Sequence, residues 1–232
     1  MVVETSEYVR VPEDIIVHAL HDAPSFWENI NRGNERLIAE FQALLLAEAV
    51  KDNFVYCGLG GQFLLRDIPH VLKVRITADM DPRIHEEIER EHVPYQEGKQ
   101  LIEKDDEQRR KWGLKLWGDD PWDSRLYDLV FHIGKLTFED AGETIVRTAS
   151  LPSFKATDGS RRKVENMARV ALIKAQLLAK FTVNSVSCHN GKVEVALEEP
   201  LNQRERIEPE VMNIVHPVEG VNDVKICFVP FH

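Results

Sequence analysis

The chain has 232 residues, enough to bury a sizeable core as one large domain or two small ones. Its hydrophobic content of 43% and charged content of 29% are ordinary for a soluble globular protein, and a net charge of -10 argues against a nucleic-acid partner, because backbone binders gather Lys and Arg. No apolar run approaches the roughly 20 residues that span a bilayer, and the start, Met1-Val-Val-Glu, lacks the basic and apolar regions of a leader, so a cytoplasmic location is expected.

Residues 12–50 read as helical. Pro12-Glu-Asp opens one segment, and the run from Asn34 to Val50 carries Leu37, Ile38, Phe41, Leu44, Leu45 and Ala49 at helical spacing. Phe54-Val-Tyr-Cys57 and Val71-Leu-Lys-Val-Arg-Ile76 read as short β-branched strands, with a helical stretch from Gly61 to Arg66 between them. Two charged helices are expected over residues 81–92 and 97–116, separated by Val93-Pro94, then a strand over Tyr127–Ile133 and a helix over Thr137–Thr148. Strands alternating with helices predict a parallel sheet covered on both faces.

Leu151 to Arg162 is rich in loop formers and marks a boundary. The expected division is residues 1–150, a linker at 151–163, and a C-terminal unit at 164–232. Within that unit a helix over 168–181, a hairpin over 183–197 turning at Asn190-Gly191, a helix over 205–216 and a strand over 224–229 compose a small α+β unit, order αββαβ. Cys57, Cys188 and Cys227 are odd in number, widely spaced and set in largely apolar runs, an arrangement expected of buried reduced thiols.

Phosphoryl transfer needs cations placed around the moving group more than covalent help. Arg83 and Arg90 lie seven apart on one expected helix, hence roughly on one face, and Arg109 and Arg110 lie on the next. The same helices hold Glu86, Glu87, Glu89, Glu91, Asp105, Asp106 and Glu107, so ordinary ion pairs at i,i+3 and i,i+4 compete for those arginines. Trp112 and Trp117 are expected to pack the second helix against its base rather than to stack a nucleobase. No metal site is assigned: His85 and His92 do not match His-Glu-x-x-His, and His18-Ala-Leu-His21-Asp22, with Ser25 nearby, is better explained as the last turn of a helix.

Gly58-Leu59-Gly60, Arg83, Asp106-x-x-Arg109-x-x-Trp112 and Tyr127-Asp128-Leu129 fall in an order and spacing that resemble the cytidylate-kinase-like nucleotide kinases over roughly residues 10–148. The resemblance implies an α/β fold of the P-loop-kinase type and phosphoryl transfer from ATP, with Mg²⁺, to CMP or a similar nucleoside monophosphate. It implies Arg83, Asp106 and Arg109 at the catalytic centre and Gly58, Gly60, Arg90 and Arg110 at the nucleotide.

Two departures qualify it. Leu59 stands where the family has a phosphate-holding arginine, and the initial strand and glycine-rich, Lys-bearing loop are missing from the sequence. A truncated sheet and impaired catalysis are therefore expected. A truncated gene, a second chain completing the sheet edge, or a non-catalytic module built on a degenerate kinase fold would each account for this. The C-terminal unit, with Gly220-Val-Asn-Asp-Val224 before its last strand, resembles a BON domain, which implies a binding or regulatory role. The partners left open are a nucleotide, another protein and a second copy of the chain.

Overall fold

The computed structural model describes residues 32–58 and 60–229. In chain order its elements are helix α1 (Arg32–Lys51), the one-turn helix α2 (Gly61–Leu64), strand β1 (Val74–Ala78), helices α3 (Met80–Glu91) and α4 (Tyr95–Trp117), strand β2 (Leu129–Ile133), helices α5 (Phe138–Ala149) and α6 (Asp158–Leu177), strands β3 (Val183–His189) and β4 (Lys192–Leu197), helix α7 (Arg204–Val215) and strand β5 (Asp223–Phe228). They are mixed α/β, and they form two compact units: residues 32–55 with 158–229, and residues 56–157. The helices expected over residues 12–30 lie outside the described residues, as does Leu59. Among the described residues no helix is long and apolar enough to cross a membrane.

The first unit differs from the expected division, because α1 belongs with the C-terminal residues. The stripe α1 buries is Ala39, Leu45, Leu46 and Ala49, while Ile38, Phe41 and Leu44 stay half-buried. Small residues on both helices, Ala39 and Ala49 on α1 and Ala171 and Ala175 on α6, let the two backbones approach closely. Ion pairs from Lys174 to Glu35 and from Arg161 to Asp52, each 3.1 Å, join opposite ends and set the helices antiparallel. Helix α6 starts at Asp158, ten residues before the expected start, because Ser160 and Val164 already face the core.

Beside them stands a three-stranded sheet of order β3-β4-β5, antiparallel then parallel. Val193, Val195 and Leu197 alternate inward on β4 and meet Ile207, Val211 and Val215 of α7 in one core. The β3–β4 turn uses Asn190 (φ 50°) and Gly191 (φ 80°), and a Cβ at Gly191 would sit 2.6 Å from the Gly220 carbonyl oxygen, so only glycine fits there.

The second unit is built on two parallel strands, β1 and β2, with Val74 opposite Leu129 and Ala78 opposite Ile133. Asp128 clasps their start: its carboxylate accepts from the Lys73 backbone N–H at 2.8 Å and pairs with Lys73 Nζ at 3.1 Å, while its own N–H donates to the Lys73 carbonyl at 2.8 Å. Ile68, Ile84, Ile102, Phe131 and Ala141 fill the interior. Helix α5 begins at a capping box, in which the Thr137 N–H and hydroxyl each donate to Asp140 Oδ2 at 2.9 Å and the Asp140 N–H returns to Thr137 Oγ1 at 3.1 Å.

The strand expected at 54–57 does not form. Instead the Tyr56 ring folds back over Gly58 and Gly61, where added Cβ atoms would lie 2.5 and 2.8 Å from it. Cys57 is consequently exposed rather than buried, and Cys188 and Cys227 are half-buried; all three are free thiols.

Leu197 is fully buried, so Leu197→Ala is expected to cost about 2–5 kcal/mol in urea unfolding. Two hydrogen bonds from Thr137, the backbone one first, hold the Asp140 carboxyl below its ordinary 3.8. A depressed carboxyl contributes stability above its unfolded value and loses it as pH falls through the lower folded value. Amide exchange in the first turn of α5 should therefore accelerate only below about pH 3.8, and Thr137→Val, which deletes the hydroxyl donor and keeps the backbone one, should weaken that acid dependence without abolishing it.

Candidate functional site

Helices α3 and α4 fill the crossover between β1 and β2. Asp79 is the N-cap residue of α3, and His92 ends it in the left-handed region (φ 56°). The extended conformation forced on Val93 by Pro94 then separates α4 from it. Ile84 and Ile102 are buried, and Gly98 lies against Ile88 and Ile84, where a Cβ would make ordinary van der Waals contact at 3.4 and 3.7 Å.

The arginines expected to act together each meet a different carboxylate. Arg83, in the first turn of α3, donates from Nη1 and Nη2 to the two oxygens of Asp106 on α4, both at 2.8 Å. This bidentate pair is partly buried, and the Asp106 hydrogen bonds hold the Arg83 guanidinium above its ordinary value against the opposing effect of burial. Arg109 pairs with Asp105 one turn back at 3.6 Å, and Arg90 pairs with Glu87 at 2.6 Å and Glu91 at 3.0 Å. Arg110 donates to Asp120 at 2.8 Å and lies 5.3 Å from the centre of the Trp122 ring. The structure thus joins Arg83 to Asp106 and gives Arg90, Arg109 and Arg110 separate partners, two of them at the helical spacings that favour ordinary surface pairs.

The glycine turn is shaped by aromatic packing. Gly60 caps α2 with φ 76°, its carbonyl accepting from the Phe63 and Leu64 N–H groups at 2.9 Å. A Cβ on Gly60 would meet Trp112 at 3.0 Å and Trp117 at 3.4 Å. Trp117 stacks on Phe63 with ring centres 4.5 Å apart, and Trp112 meets Trp117 edge-on at 4.6 Å. The tryptophans therefore pack α4 onto the Gly60 turn. Gly58 is exposed and Gly60 buried, each with an aromatic ring at its Cβ position, while burial raises the Tyr56 phenol far above its ordinary range. After α4 the chain folds back, and Pro121 lies where a Gly113 Cβ would be. Arg66 pairs with Asp119 at 2.5 Å and Arg75 donates to the Trp122 carbonyl at 2.9 Å.

Sequence reasoning missed the group at the carboxyl end of the strand pair. Thr77 donates to the Phe131 carbonyl at 3.0 Å, His132 Nδ1 lies 3.3 Å from the Thr77 hydroxyl, and His132 Nε2 lies 3.5 Å from Asp79. Open α/β sheets take ligands at this edge, and the signal was present in the polar residues Thr77, Asp79 and His132 at strand ends otherwise apolar. His85 Nδ1 contacts the Asp81 carbonyl at 2.8 Å, whereas His18, His21, Asp22 and Ser25 lie outside the described residues. Among the described residues no group of three or more His, Cys, Asp or Glu is placed to hold a metal.

The model of the cytidylate kinase-like family matches residues 1–135. A crystal structure of an uncharacterized protein from Eubacterium ventriosum ATCC 27560 is similar at 26% identity, over 48% of this chain and 62% of that one, with a TM-score of 0.43. The chain thus spans about three fifths of that protein's length. No curated protein matches.

A double-mutant cycle on Arg83→Met and Asp106→Asn should give a coupling of about 1 kcal/mol that shrinks as salt is raised, as expected of a pair open to solvent on one side. A coupling indistinguishable from zero would mean that water replaces the contact without loss.

Proposed function

The chain belongs to the cytidylate kinase-like family, and from that premise we propose that its residues 56–157 bind a nucleoside monophosphate and serve phosphoryl transfer from ATP. In that reaction a phosphate oxygen of the monophosphate attacks the γ-phosphorus of ATP, ADP leaves, and a nucleoside diphosphate is formed. Arg109 and Arg110 would exchange their carboxylate partners for the phosphate oxygens, while Arg83, kept in place by Asp106, would offer the N–H groups that this pair leaves over. Gly58, Gly60 and Arg90 are proposed to border the nucleotide. The observation that carries this is the position of Arg83, on the first turn after β1, at the edge of a parallel pair where such folds hold their ligands. Mg²⁺ is assigned no protein ligands here; it would arrive on the phosphates of ATP, as that ion commonly does.

A second reading, a non-catalytic nucleotide sensor, draws on two observations. All four arginines are already neutralised by carboxylates, and the glycines of the Gly58-x-Gly60-Gly61 turn lie against aromatic rings. That turn also lacks the Gly-Lys-Ser/Thr ending that cradles donor phosphates. The C-terminal αββαβ unit, BON-like in its element order, is the proposed regulatory or protein-binding part.

Calorimetric titration of the full chain with CMP, and with ATP and Mg²⁺, combined with a CMP-dependent assay of ADP release, separates these readings. Turnover that falls at least tenfold in Arg83→Ala supports the enzyme. Saturable heat without turnover supports the sensor. A folded sample that binds none of these nucleotides overturns both.

A further inference from the structure

The unit made of residues 32–55 and 158–229 contains a cleft of about 730 Å³ between α6, α1 and the end of β3. One face of α6 supplies most of its wall, with Arg162, Lys163, Asn166, Val170 and Lys174 at the spacing of successive turns. Gln42 of α1 and the His189-Asn190 end of the hairpin supply the rest of the polar rim, and Met167 and Ala171 extend the apolar floor. The volume lies in the range of small-ligand sites, which are mostly apolar with a few convergent polar groups.

The lining reverses the sign of the molecule. The chain carries a net charge of -10, yet among the described residues three cations and no carboxylate line the cleft. Lys174 is engaged by Glu35 at 3.1 Å, whereas Arg162 and Lys163 make no ion pair among the described residues. Their neighbour Arg161, pointing elsewhere, is matched by Asp52. Asn166 adds to the donor character: its Oδ1 accepts from Arg169 Nη1 at 3.3 Å and lies 3.5 Å from Cys188 Sγ, which leaves the NH₂ group free to donate. An Arg fork, a Lys ammonium and an amide N–H at the mouth of an apolar floor match a tetrahedral oxyanion attached to an apolar or planar body.

We propose that this cleft is a binding site for a small soluble phosphate monoester with an apolar or planar body, held at the phosphate by Arg162, Lys163 and Asn166 and at the body by Met167, Val170 and Ala171. Apart from Gln42, the lining lies outside the residues 1–135 matched by the family, and the proposal does not rest on the nucleotide chemistry proposed above. The chain's net charge of -10 disfavours docking on an anionic membrane, so the ligand is taken from solution.

The test uses the full chain and phenyl phosphate as probe, followed by amide chemical shifts and calorimetry. Saturable binding is expected, with shifts concentrated at residues 159–174 and 188–190 and with inorganic phosphate and phenol each at least tenfold weaker. The double substitution Arg162→Met with Lys163→Met should weaken phenyl phosphate at least tenfold, while Arg161→Met, at a cation already paired with Asp52, should leave it unchanged; matching thermal unfolding curves establish that both variants fold. Val170→Asp should abolish binding from the apolar side. Absence of saturable binding, shifts confined to α3 and α4, equal losses in the Arg161 and Arg162/Lys163 variants, or binding to phosphatidate vesicles without binding to phenyl phosphate would each overturn the proposal.

Discussion

Two parallel strands cannot be joined by a tight turn, and that constraint organises the unit that carries the family signature. Pairing β1 with β2 in parallel requires the chain to leave at Ala78 and re-enter at Leu129, which lies opposite Val74 at the other end of the pair. The intervening residues must therefore form a crossover, and they form α3 and α4. The clasp between Lys73 and Asp128 sets where the pairing starts, which places Asp79, Arg83 and His132 together near its other end. Without that register the polar residues of the strand ends and the first turn of α3 would have no common edge to occupy.

The crossover helices solve an electrostatic problem of their own making. Arginines near one another repel, and lone guanidiniums are costly to dehydrate, so each of the four is set against an acid. The degree of commitment differs. Arg83 and Asp106 form a planar, two-bond contact between helices, partly shielded from water, whereas Arg90 and Arg109 hold their guanidiniums in solvent and pair with acids of their own helix. An incoming phosphate must offer more than the resident carboxylate at each place, and the exposed pairs are the easier to displace. The cleft beside α6 presents the opposite situation, since Arg162 and Lys163 carry charge with no resident acid among the described residues.

How much was legible varies from residue to residue. The Asn190-Gly191 turn was readable because a two-residue hairpin demands left-handed backbone at both positions, a demand local to those residues. The helices around Arg83, Arg109 and Glu143 were readable for a similar reason, as their caps, charge patterns and proline breaks act within a turn or two. Phe54 to Cys57 looked like a strand by composition, but a strand exists only if a neighbour offers its hydrogen bonds, and here Tyr56 found glycines instead. At Gly60, which the family likeness puts beside the nucleotide, the space that the missing side chain leaves is occupied by Trp112 and Trp117, more than fifty positions away.

By itself the sequence determined the order and kind of most elements, the αββαβ character of the C-terminal residues, the presence of arginines on two successive helices, and the likeness to a nucleotide-kinase family over the first half. These follow from local propensity and residue order, which act along the chain. The tertiary structure alone decided that α1 joins α6, that Arg83 is answered by Asp106, that the tryptophans seal the Gly60 turn, and that Arg162 and Lys163 face a cleft that holds no acid among the described residues. Each of these depends on which surfaces meet across long separations, and a side chain's partner in space is set by burial of the whole unit rather than by its neighbours in sequence.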